Sequence, residues 1–269
     1  TLRGNGGYDK ILLKPQEENN QEVTIPLGLN ISGIEELSLS KNVHQNVDFS
    51  SLSQIKNIKL TDGTTREGNN IRISLAGDQT LHLVGLKDGD PRSASLSSGG
   101  GLIVEQNGDT DSIAFYVDGA GPSDSTLSDS LLIDFANQQL GSLNLFVSNE
   151  NDISIFNSGG NLATLNVTGT GSLRLKDFPS LVENIDASNS SVAMTVDVNG
   201  QAQPITIKAG NGDDYFDIGT GDSSIDTSKG NDVVIVRAGA NIASQNTIKT
   251  GEGADRVEVS AGTNVVFLG

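Results

Sequence analysis

Apolar and polar residues alternate along much of this chain. Ile71-Arg72-Ile73-Ser74-Leu75, Leu143-Asn144-Leu145, Leu173-Arg174-Leu175 and Ile205-Thr206-Ile207 are examples. A period of two puts one face of a strand in a core and the other in water, so these segments predict strands. No segment carries a sustained i, i+3, i+4, i+7 apolar stripe with caps, and little or no helix is expected. The strands themselves recur. Leu145, Ile155, Leu165, Leu175, Ile185 and Ile205 fall on a ten-residue step that Thr195 breaks, with Val196 beside it. The step then shortens to nine through Val198, Ile207, Phe216, Ile225 and Val234. A short fixed step, with Gly, Asn, Asp or Ser between, is the mark of stacked coils of strand and turn. Two steps make one coil. The predicted fold is therefore an all-β solenoid with about 18–20 residues per coil, its backbones pairing at about 4.8 Å.

The first half repeats more loosely. Ile34-Glu35-Glu36-Leu37-Ser38-Leu39 and Ile55-Lys56-Asn57-Ile58-Lys59-Leu60 share a pattern that returns at Leu162–Val167 and Val182–Ala187. L-x-x-L-x-L also opens a leucine-rich repeat, but the stretches between, such as Asp48–Leu52, carry no helical face. Gly85–Gly101 and Asp118–Ser130 read as loops or bends. The expected organisation is the end of a repeat turn over 1–15, an irregular β-solenoid or β domain over 16–135, solenoid coils over 136–208, and a glycine–aspartate roll over 209–269.

Composition fits a thin core. Aromatics are 4% of 269 residues, Trp and Cys are absent, and Gly is 32. That glycine content is turn chemistry repeated many times. The formal net charge is −17, and it is uneven: residues 88–197 hold 3 basic and 15 acidic groups, net −12. A chain without a basic face is a poor ligand for nucleic acid or an anionic membrane, so neither partner is expected. Absent cysteine removes disulfides and thiolate metal sites. No apolar run nears the roughly 18 residues a membrane helix needs. The chain opens at Thr1 inside a Gly–Asp turn, which reads as a piece of a longer protein whose secretion signal lies elsewhere.

The sharpest motif is Gly210-Asn211-Gly212-Asp213-Asp214-Tyr215-Phe216, which fits G-G-x-G-x-D-x-U-x from its second position. In phase behind it come Gly219-Thr220-Gly221-Asp222-Ser223-Ser224-Ile225 and Ser228-Lys229-Gly230-Asn231-Asp232-Val233-Val234, and then, after an irregular stretch, Gly251-Glu252-Gly253-Ala254-Asp255. Glycines let backbone carbonyls turn toward a common point. Calcium takes six to eight oxygens and accepts carbonyls readily. Asp214 and Asp232 are one coil apart and should stack about 5 Å from each other, where two bare carboxylates repel by roughly 3 kcal/mol at an effective dielectric of 20. A calcium ion between them reverses the sign. The candidate metal residues are thus Gly210, Gly212, Asp214, Gly219, Gly221, Ser228, Gly230, Asp232, Gly251, Gly253 and Asp255. Ser223 falls on the opposite side of the coil and predicts a weak or absent site there. Asp255 joins the ladder only if Ala238–Asn246 bulges out. The isolated turns Gly4–Asp9 and Gly108–Asp111 read as plain turns.

Residues 209–258 resemble the repeats-in-toxin calcium β-roll of bacterial proteins exported by type I secretion. The run Leu162–Val198 is similar to the coils of bacterial surface-layer proteins that carry such repeats, and Ile34–Leu60 and Gln79–Leu83 share its style. The resemblance implies a secreted, extracellular structural protein whose calcium-stiffened solenoids tile into a lattice on the cell envelope. Its partners would be copies of itself and an envelope polysaccharide. The pattern here is short: about three good nonapeptides, interrupted after Val236.

Enzyme signatures are scarce. His44 and His82 sit in strand-like contexts, and no G-x-S-x-G elbow, P-loop or H-E-x-x-H occurs. An enzyme is not expected. The alternatives to a lattice protein are a calcium-dependent adhesin or biofilm-matrix protein, and a secreted polysaccharide-acting β-helix enzyme using Arg174 and Lys176 beside Asp177.

Overall fold

A computed structural model describes residues 2–13, 31–40, 46–64, 70–88, 101–107, 111–122, 130–136, 140–158, 160–200, 202–237, 245–260 and 263–269. Its strands alternate between two long parallel sheets, so each coil crosses one sheet, turns, crosses the other and turns back. The first sheet runs from Lys10–Leu13 through Glu36–Ser40, Asn57–Thr64, Thr80–Asp88, Ser112–Asp118 and Ser142–Ser148. It continues through the start of Thr164–Leu175, then Asn184–Asp186, Thr206–Lys208, Ser224–Asp226, Gln245–Lys249 and Thr263–Phe267. The second sheet runs from Val47–Asp48 through Ile71–Ala76, Leu102–Asn107, Leu131–Phe135 and Glu150–Phe156. It continues through the end of Thr164–Leu175, then Ser191–Val198, Tyr215–Ile218, Val233–Val236 and Arg256–Val259. This is the β-solenoid that the alternation predicts.

Registered pairing turns the sequence period into columns. Ile113, Leu143, Leu165, Ile185, Ile207, Ile225 and Ile248 are successive register partners, and every one is buried. A parallel sheet buried on its inner face favours such β-branched and aliphatic repeats. The ten-residue series is inward as expected: Leu145, Ile155, Leu165, Leu175, Ile185 and Ile205 are all buried. So are Val198, Phe216 and Val234 of the nine-residue series. A narrow core of this kind needs few large rings, and Phe49, Phe115, Phe135 and Phe216 are the fully buried ones.

Coil length departs from expectation in the first half. Tyr215 pairs with Val233 and Thr206 with Ser224, 18 residues on in each case. Thr164 pairs with Asn184, 20 on. By contrast Leu81 pairs with Phe115, 34 on, and Ile71 with Leu102, 31 on. The ladder constrains only the strand residues. Loop closure costs little more as a loop lengthens, so extra residues leave the register intact. Parts of the segments expected to be loops, Gly85–Gly101 and Asp118–Ser130, are strand: one strand runs on to Asp88 and Gly121–Pro122 pairs with it. Residues 89–100 and 123–129 lie outside the described residues. Among the described residues the helical content is a single 3-10 turn, Ser50–Leu52, and no leucine-rich-repeat helix occurs among them.

Candidate metal-binding corner

Each coil has two corners. At the first, the chain leaves the first sheet for the second; at the second, it returns. The structure brings three of the glycine–aspartate turns to the first corner, one above another: Gly210–Asp214, Ser228–Asp232 and Gly251–Asp255. Register fixes this, since Thr195, Tyr215, Val233 and Arg256 are successive partners and the aspartates directly precede the last three. Gly219 and Gly221 lie at the second corner, away from these aspartates, with Ser223 beside them. Asp255 does join the column, 23 residues beyond Asp232. The extra length falls between Val236 and Gln245, where 238–244 lie outside the described residues.

The turns approach too closely for side chains. A Cβ on Gly212 would overlap the Val192 carbonyl oxygen of the preceding coil, and one on Gly230 would overlap the Gly212 carbonyl oxygen. Gly230 also holds φ at 136°, a conformation that glycine alone adopts freely. Glycine at these points lets the carbonyl rows of successive turns stack.

The aspartates form a directed chain. Met194 N donates to Asp214 Oδ1 at 2.8 Å, Asp214 N to Asp232 Oδ1 at 2.8 Å, and Asp232 N to Asp255 Oδ1 at 3.0 Å. Each carboxylate thus caps the backbone of the coil before it with one oxygen. The other oxygen is the point of interest. Asp214 and Asp232 are 1% and 0% exposed, and Oδ2 of each is buried without a hydrogen-bond donor. Thr227 lies beside Asp232, but its hydroxyl donates to the Thr250 carbonyl at 3.0 Å. Burial pushes the Asp214 carboxyl up to about 7, against the Met194 amide, with the Asp232 and Asp213 charges adding to the rise. Burial also raises Asp232, opposed by the Asp214 amide and aided by the charges of Asp255 and Asp213. A buried acceptor without a donor costs about 1–3 kcal/mol, more when charged, so this column is under strain that a cation would relieve.

Orphaned Oδ2 atoms and glycine-exposed carbonyls are the donor set that calcium takes. Among the described residues no three acidic or histidine side chains converge on a point. A cation at this corner would be shared by two stacked aspartates, with backbone carbonyls completing its shell.

The second corner repeats the cap without the charge. Ile205 N donates to Ser223 Oγ at 3.3 Å and Ser223 N to Asn246 Oδ1 at 2.9 Å. Asn246 Nδ2 in turn donates to Asn264 Oδ1 at 2.7 Å. Asn246, which the motif reading passed over, has a legible signal: it lies 23 residues beyond Ser223, the same coil length that separates Asp232 and Asp255. The Gly4–Asp9 turn is closed locally, Asn5 N donating to Asp9 Oδ2 at 3.1 Å. Residues 108–110 and His44 lie outside the described residues.

The groups named for an enzyme have other bonds. Arg174 pairs with Asp152 at 3.1 Å. His82 stacks on Tyr116 with centroids 4.1 Å apart, and Tyr116 on Phe146 at 4.3 Å. Burial, aided by Lys59, lowers the His82 pKa and favours the neutral ring. Among the described residues no helix is long and apolar enough to cross a membrane. No family model matches the chain, and neither a curated protein nor a solved structure is significantly similar to it.

Proposed function

We propose that this chain is a calcium-stiffened structural solenoid, a component of a secreted bacterial surface layer that assembles with copies of itself on the cell envelope. The observation that carries the calcium part is the pair of buried, donorless Oδ2 atoms on Asp214 and Asp232 at the glycine-lined corner. Calcium between successive aspartates turns repulsion into bridging and locks coil to coil. The surface-layer part is supported by the resemblance of 209–258 and Leu162–Val198 to such proteins. It also suits a rod whose outer faces are regular ladders, such as Asn144–Asn166, bonded at 2.8 Å. In this role the protein acts mechanically: a rigid coil stack offers fixed faces to its neighbours and to envelope polysaccharide.

Electron microscopy tests the assembly. Chelated protein dialysed into millimolar calcium should form ordered sheets, and protein dialysed into magnesium should not. Monomers that bind a glycan instead would favour an adhesin, and cleavage of a polysaccharide an enzyme; either result overturns the lattice reading.

A further inference from the structure

The aspartate column does not begin at Asp214. Register carries it back through Met194 and Leu173 to Asn151. Leu173 and Met194 fill the position with buried apolar side chains. Asn151 is different. It is 2% exposed, and its Oδ1 accepts from Ala120 N at 2.9 Å, the same cap to the preceding coil that each aspartate makes. Its second terminal atom is a donor rather than an acceptor. Nδ2 reaches the Ser148 carbonyl at 2.7 Å, the Asn149 carbonyl at 3.2 Å and, in the next coil, the Ser172 carbonyl at 3.4 Å. The amide nitrogen therefore sits among three carbonyl oxygens contributed by two successive coils. At Asp214 and Asp232 the corresponding atom is Oδ2, an acceptor that has no donor.

We propose that Asn151 is a built-in, uncharged substitute for a cation: its Nδ2 gathers the carbonyls of two coils at the corner where Asp214 and Asp232 require a metal ion to do so. The inference rests on the calcium reading above. It divides the solenoid into coils that close without metal, up to Met194, and coils that close with it, from Asp214 onward. Because solenoid coils gain stability only from their neighbours, the metal-independent coils are the template on which the metal-dependent ones order. Calcium closure then proceeds one way, from Met194 toward Asp255.

The test exchanges the two chemistries in the full chain and uses calcium itself as the probe. Asp232→Asn keeps the Oδ1 cap and supplies an NH2 where Oδ2 had no donor. In chelator its melting temperature should exceed that of the parent by roughly 3–6 °C, since filling a buried unmet bond acts at that scale in a domain of this size. Its calcium-induced rise should shrink. Asn151→Asp should do the reverse: a lower melt in chelator and, because Leu173 rather than a second carboxylate follows it in the column, only a partial recovery in calcium. Asp232→Asn gaining nothing in chelator would overturn the proposal. So would Asn151→Asp losing equally with and without calcium. Either failure, with the parent still responding to calcium, leaves the calcium reading standing; a parent that ignores calcium ends that reading and this proposal together.

Discussion

The two corners of the last coils solve one problem with different atoms. At both, a side-chain oxygen caps the backbone amide of the coil before. At the second corner the oxygens belong to Ser223 and Asn246, and the cap is neutral. At the first they belong to Asp214, Asp232 and Asp255. The neutral corner establishes that capping needs no charge. The acidic corner bears the same cap with stacked buried carboxyl groups, whose charged forms are disfavoured by burial and by one another. The acidic corner thus carries charge that the cap alone does not require. Close stacking, in contrast, is common to both corners, because a Cβ on Gly221 would overlap the Gln203 carbonyl oxygen as one on Gly230 overlaps that of Gly212.

That contrast can be broken in several ways. The largest effect should come from what the corners share. Gly230→Ala and Gly221→Ala should each destabilise by about 3 kcal/mol by denaturant unfolding, since neighbouring backbone must move. Gly200→Ala, where a Cβ meets nothing within 4 Å, should be neutral. The loss at 230 should be the larger, because Gly230 also holds φ at 136°; no loss at 221 would mean that the corners stack differently. Next is pH, which should act on the acidic corner alone. The folded Asp214 carboxyl is raised to about 7, above its unfolded value near 4. Between those values the folded Asp214 holds more proton than the unfolded one, so its contribution to metal-free stability is full below about pH 4 and is lost as pH rises through 7. Melts in chelator against pH should show that decline above pH 4, and Asp214→Asn should reduce it to the share that the raised Asp232 carboxyl contributes.

A third comparison is Asp232→Ala against Asn246→Ala. Loss of the Asn246 cap should cost about 1–2 kcal/mol whether calcium is present or not. Loss of Asp232 should cost more in calcium than in chelator, where removing a buried charge offsets the lost cap. Equal behaviour of the two variants would erase the distinction. The smallest effect belongs to the exposed pair at the acidic corner. Lys229 and Glu252 approach to 3.1 Å with side chains 59% and 78% exposed, and Lys229→Ala should change stability by less than about 0.5 kcal/mol.

Much of this was legible in the residues. The series Leu145, Ile155, Leu165, Leu175, Ile185, Ile205 is visible because parallel coils reuse one chemical environment at each turn, and all six are buried, but the registered column takes Leu143 and Ile207, each two residues off that step. The stacking of Asp214 on Asp232 followed from the 18-residue spacing alone. The first-half coils were less legible, since the step between Leu81 and Phe115 is 34 residues and repeats no short period. Asn151 was invisible for a different reason. No glycine turn marks it, and only the stacked register reveals that an asparagine 63 residues before Asp214 shares its column. The donorless state of Oδ2 also needs three dimensions, because it depends on which neighbours have already spent their protons.

The most direct test of the central claim is a thermal melt of the metal-stripped chain with millimolar calcium, with magnesium and with chelator, run beside Asp214→Asn/Asp232→Asn. A ligand binding only the folded state stabilises by about 2.7 kcal/mol at a hundredfold excess over its Kd. Calcium should therefore raise the parent's melt by several degrees, magnesium far less, and the double variant should respond little to either. A parent whose melt is the same in calcium and chelator would contradict the account.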